Sequence, residues 1–139
     1  MQKTTATTVS DYNKLQSQAA SEICNLLEIN INKYLKNNES KIWHGSPVWF
    51  INGNPVVAYS VRKDGRVSLM FFSGQSFNDE DLKPEGKFKA AEIFYSSRDE
   101  VETGKLKKWL GLAIDIQWDY KNIVKNKGVL VSLPAMSGK

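Results

Sequence analysis

The chain has 139 residues, of which 41% are hydrophobic and 24% charged. That balance suits one globular domain with its own core and excludes a disordered or fibrous chain. The net charge of +4 arises from 19 basic and 15 acidic residues, and no basic run exceeds two residues, so the concentrated Lys/Arg patch of a nucleic-acid binder is missing from the sequence.

No stretch is apolar enough to span a membrane, and the Met1-Gln2-Lys3-Thr4-Thr5 start lacks the apolar segment of a signal peptide. The expectation is a cytoplasmic protein without membrane or nucleic-acid partners. The one cysteine, Cys24, rules out an intramolecular disulfide and falls within an apolar helical pattern, as a small buried residue would.

Residues 1–10 are Thr-rich and predict a loose tail, with order beginning at Asp11. From Ser17 to Asn37, Ala19, Ile23, Leu26, Leu27 and Tyr34 recur at helical spacing, and Asn37-Asn38 suits a helix stop. Lys41 to Phe50 holds Gly45 and Pro47 between aromatic residues and reads as a tight connection into a strand at 48–51. Asn52-Gly53 is a hairpin signal, because both residue types accept positive φ. Strands follow at 56–62 and 67–72, joined by a turn at Lys63-Asp64-Gly65-Arg66. In the second of these, Met70 and Phe72 make the opposite face apolar too, as in a central or doubly covered strand.

Residues 74–87 are polar and acidic and predict a surface excursion with one helical turn near 79–82, followed by a strand at 89–95. The last strong periodicity runs over 102–125, with Leu106, Trp109, Ala113, Ile116, Tyr120 and Ile123 on one face. Lys125, Lys127 and Gly128 would close that helix. Leu110, Ile114 and Trp118 form a second stripe at four-residue spacing, a candidate homodimer face. A short strand at 129–133 and a tail over 134–139 complete the reading. Two amphipathic helices and one short antiparallel sheet make an α+β domain spanning 11–133, with both helices on one sheet face.

No cluster specifies a reaction. Nucleotide-binding glycine motifs, the G-x-S-x-G elbow and H-E-x-x-H are all missing, and no cofactor is implied. His44 is the only histidine, with no cysteine pair to complete a zinc set. Asp79, Glu80 and Asp81 lack calcium-loop spacing, and Asp99, Glu100 and Glu102 suit the start of a helix. No metal site is expected.

The remaining concentration of chemistry is Trp43, His44 and Trp49 around an irregular turn, with Tyr59 on the next strand. Trp offers a large rigid surface with a donor, and His a switchable polar group. Two readings stand: these residues line a pocket for a small molecule or protein, or they plug the end of the sheet.

The segment Lys41-Ile42-Trp43-His44-Gly45-Ser46-Pro47-Val48-Trp49-Phe50 after the first helix, followed by Phe71-Phe72-Ser73-Gly74 and a final helix, resembles the bacterial YdhG-like family of domains of unknown function. The match rests on Ile42, Trp43, Pro47 and the Trp49-Phe50 pair and covers roughly residues 17–118; the acidic residue usual before the isoleucine is out of register here, at Glu39. The resemblance implies a frataxin-like fold. One branch implies an intracellular iron chaperone, for which Glu22, Glu28 and Glu39 are the available acids. The two functional expectations are therefore a non-enzymatic binding domain and, alternatively, that chaperone.

Overall fold

A computed structural model describes residues 6–36 and 38–134. The expected tails at 1–5 and 135–139 and the stop residue Asn37 lie outside the described residues.

Helix α1 (Val9–Lys14) starts earlier than the acidic Asp11 suggests, because the Thr8 hydroxyl caps it, accepting from the Asp11 amide at 3.0 Å, and Val9 is buried in the core. The residues called tail up to position 10 therefore include the start of this helix. Helix α2 (Gln18–Tyr34) is capped by Ser17. Its buried face is Ala20, Ile23, Cys24, Leu27 and Ile31. That face is rotated from the expected one, since Ala19 is exposed. Burial pushes the Cys24 thiol up to about 12, so it stays protonated and inert.

Strands β1 (Asn38–Trp43) and β2 (Ser46–Ile51) form a hairpin where an irregular connection was expected. His44 and Gly45 sit at φ 52° and 82°, and Asn52 and Gly53 at 52° and 81°. The two turns share one left-handed two-residue geometry, which matches the twist of paired strands. Trp43↔Ser46 closes the first turn, so Ile42↔Pro47 is a pair that exchanges no backbone hydrogen bonds and Pro47 forfeits none to β1. Pro47 also precedes the first β2–β3 pair, Val48↔Ala58.

Strands β3 (Asn54–Val61), β4 (Val67–Phe71), β5 (Lys83–Pro84) and β6 (Ala91–Tyr95) complete a sheet of order β1-β2-β3-β4-β6-β5, antiparallel throughout. Helices pack on one face over Trp49, Ile51, Val57, Tyr59, Val67, Leu69 and Phe71. Val48, Phe50 and Ala58 form a separate small cluster on the other face, with Phe72 against it.

Helix α3 (Thr103–Asp115) is shorter than the expected 102–125. Tertiary hydrogen bonds replace its ladder: the Trp118 amide donates to Ser73 Oγ at 2.9 Å, and the Lys121 amide donates to Asn54 Oδ1 at 2.9 Å. The chain then runs irregularly to Pro134, and the expected strand at 129–133 reduces to one bridge, Trp118↔Ser132. The homodimer stripe dissolves with the helix. Leu110 is fully buried in the core, and Trp118 is off the helix, its indole N–H donating to Ser76 Oγ at 3.0 Å.

Asp79 anchors the surface excursion to α3 by accepting from the Trp109 indole N–H at 2.8 Å. That bond, the Asp81 amide and Lys108 hold its carboxyl below the usual carboxylate range. A depressed folded pKa adds stability that is present above the unfolded value and lost as pH falls through the folded one. Asp79→Asn is thus expected to cost about 1 kcal/mol at pH 7, with the gap to the native protein shrinking below about pH 4. Urea unfolding at pH 7 and pH 3 checks this; a gap independent of pH refutes it.

Candidate functional site

The antiparallel pairing sorts the four sequence-flagged residues by face. Trp43 pairs with Ser46 and Lys41 with Val48, so Val48 and Phe50 share the face of Trp43, and Trp49 takes the other. Trp49 is 0% exposed, and its indole N–H donates to Asn32 Oδ1 at 2.8 Å. Tyr59 is 1% exposed; its ring lies 5.5 Å from that of Trp49, and its hydroxyl donates to Asn13 Oδ1 at 2.7 Å. Burial raises the Tyr59 phenol well above its ordinary value. These two side chains are core groups on the helix side of the sheet.

Trp43 and His44 remain at the surface, on the sheet face away from the helices. Trp43 is 37% exposed. Its ring lies 4.4 Å from the imidazole and 5.5 Å from Phe50, edge to face. The turn that carries them fixes the pair at one end of a groove of about 260 Å³. Val48, Ala58, Met70 and Phe72 supply its apolar surface, while Ser60, Arg62 and Ser68 bring polar groups from β3, the turn after it and β4. Tyr59 touches the groove only from the strand beneath, since its ring and hydroxyl are committed to the helix side.

At the polar end, Arg62 Nη2 donates to Glu92 Oε1 at 2.8 Å, and Ser68 Oγ donates to the same oxygen at 2.7 Å. The Arg62 guanidinium also lies 5.6 Å from the Phe94 ring. Beyond Phe72 the returning C-terminal segment covers the sheet: the Tyr120 ring is 5.4 Å from Phe72, and its hydroxyl accepts from the Lys89 amide at 3.0 Å.

Sequence reasoning missed Arg62, Ser60, Ser68 and Ala58, which alternate with core residues along β3 and β4. The signal was present in Met70 and Phe72, whose apolar character on the non-core face fits a surface that binds something. A concave apolar surface with a few convergent polar groups is the usual constitution of a small-molecule site.

Several of the acidic groups are engaged elsewhere. Asp81 pairs with Lys105, Asp79 with Lys108 and the Trp109 indole, and Glu100 accepts from the Ser96 amide at 2.6 Å. Asp119 accepts from Asn122 at 2.9 Å. Among the described residues, no three His, Cys, Asp or Glu side chains come together as a metal-holding group. No described helix is long and apolar enough to cross a membrane. Scans against models of known protein families, against curated proteins and against solved structures find no match to this chain.

Proposed function

We propose that this is a non-enzymatic binding domain that takes a small ligand in the groove beside Trp43 and His44. One observation carries the reading: the helix-free face of the sheet holds an apolar groove, and its rim is the exposed Trp43–His44 pair. Among the described residues, His44 makes no hydrogen bond to an acid or to a hydroxyl such as that of Ser46, which lines the same groove, so the base–nucleophile pair of a catalytic reading is not assembled. The order helix, antiparallel sheet, helix is compatible with what the YdhG-like resemblance implies. The iron-chaperone alternative lacks comparable support, since Glu28 accepts from Asn13 Nδ2 at 2.9 Å and, among the described residues, no three His, Cys, Asp or Glu side chains gather.

A ligand-observed NMR screen of small aromatic compounds tests the reading. Ala58→Phe fills the groove and is expected to abolish binding. His44→Asn removes the imidazole while keeping a residue suited to the left-handed φ of 52°. It should weaken binding several-fold and leave stability within about 0.5 kcal/mol. If no compound binds, or if binding survives Ala58→Phe unchanged, the groove is not the site.

A further inference from the structure

The groove has one polar end with a fixed cation, and this gives its ligand a charge. We infer that it takes a small planar aromatic acid, with the ring against Trp43 and the apolar surface and the carboxylate on Arg62. This rests on the groove being the binding site.

The size comes first. A volume of about 260 Å³ lies at the small end of the ~300–1,000 Å³ of drug-sized pockets, so it suits a ligand of one or two rings. The ring character follows from the walls. Val48, Ala58, Met70 and Phe72 offer an apolar surface, and the exposed Trp43 indole offers a stacking partner at the rim.

The charge follows from Arg62. Its guanidinium is held from two sides, by Glu92 Oε1 at 2.8 Å and by the Phe94 ring at 5.6 Å. Glu92 takes one N–H and leaves the others, in the fork geometry that matches a carboxylate. The neighbouring negative charge does not reverse this. Arg62 lines the groove and Glu92 does not, and the Glu92 side chain is only 12% exposed, with Ser68 Oγ donating to the same oxygen. A ligand therefore meets the donors of the ion pair before its acceptor. The Ser60 hydroxyl lies along the same end and can add a donor to a carboxylate, whereas the Ser68 proton is already given to Glu92. A ligand ammonium would find the guanidinium first and be repelled.

Three probes that share the indole ring system test this: indole-3-acetate, indole-3-ethanol and tryptamine, titrated into the full chain by calorimetry. The expected order is acetate tightest, by about tenfold over the alcohol, as for a charge-assisted hydrogen bond at a half-exposed site, with the amine weakest. Arg62→Gln should bring the acetate down to the affinity of the alcohol, and Arg62→Lys, which keeps the charge without the fork, should retain part of the preference. Equal affinity for all three probes, or an acetate preference that survives Arg62→Gln, overturns the charge assignment while leaving the groove as a site. Failure of every probe to bind overturns both.

Discussion

Trp109→Ala is expected to destabilise the protein by about 3–5 kcal/mol, the range for an aromatic removed from a packed core. Trp109 is 0% exposed, and its ring meets Phe71 edge to face at 5.9 Å. It sits centrally on α3, so its loss opens a void between that helix and β4. The indole N–H adds a second contribution, because it is the donor that fixes Asp79 and with it the excursion between β4 and β6. Trp109→Phe separates the two. It keeps most of the volume and drops the donor, and should cost about 1–2 kcal/mol. Denaturant unfolding of both variants checks the assignment. A loss below about 1 kcal/mol for the alanine variant is incompatible with a core role for this face of α3.

Trp109 was legible because a helix repeats its pattern over many residues, so one misplaced apolar position does not shift the face. Asn52-Gly53 and Asp64-Gly65 were legible because their chemistry allows few other geometries; Gly53 and Gly65 indeed take φ of 81° and 91°. His44-Gly45 escaped the same reading, since histidine seldom leads such a turn and Pro47 looked like a breaker of structure. That single miss hid β1 and had a consequence for the site. Without the hairpin register, Trp43, His44 and Trp49 looked like one aromatic group. With it, Trp43 and Trp49 stand on opposite faces of the sheet. Only the first therefore reaches the groove, and the polar end supplied by Arg62 becomes visible once β3 and β4 are aligned with β2. The scatter of Lys and Arg along the sequence likewise concealed that Lys41, Arg62 and Arg66 each lie over an aromatic ring, Phe50 for the first and Phe94 for the other two.

The early end of α3 was illegible for a different reason: its cause is a residue more than sixty positions away. Asn54, 3% exposed, follows the Asn52-Gly53 turn and looks like ordinary turn chemistry. In the structure its Nδ2 donates to Gln117 Oε1 and to the Trp118 carbonyl, both at 3.0 Å, and its Oδ1 accepts from the Lys121 amide at 2.9 Å. One side chain thus pins the start of the C-terminal segment, and that segment seats Tyr120 on Phe72 at the end of the groove. Asn54→Ala removes all three bonds and leaves main-chain groups facing a hole, which should cost about 2–4 kcal/mol. Asn54→Asp is the sharper control. It keeps the acceptor for Lys121 but turns a carboxylate toward two oxygens, so a comparable loss is expected although the volume is unchanged. Both variants should speed hydrogen exchange at the Lys121 amide, and by freeing Tyr120 they should weaken any ligand that the groove binds. If Asn54→Ala unfolds within about 1 kcal/mol of the native protein and Lys121 keeps its protection, helix propensity and not Asn54 ends α3, and the segment is held by other contacts.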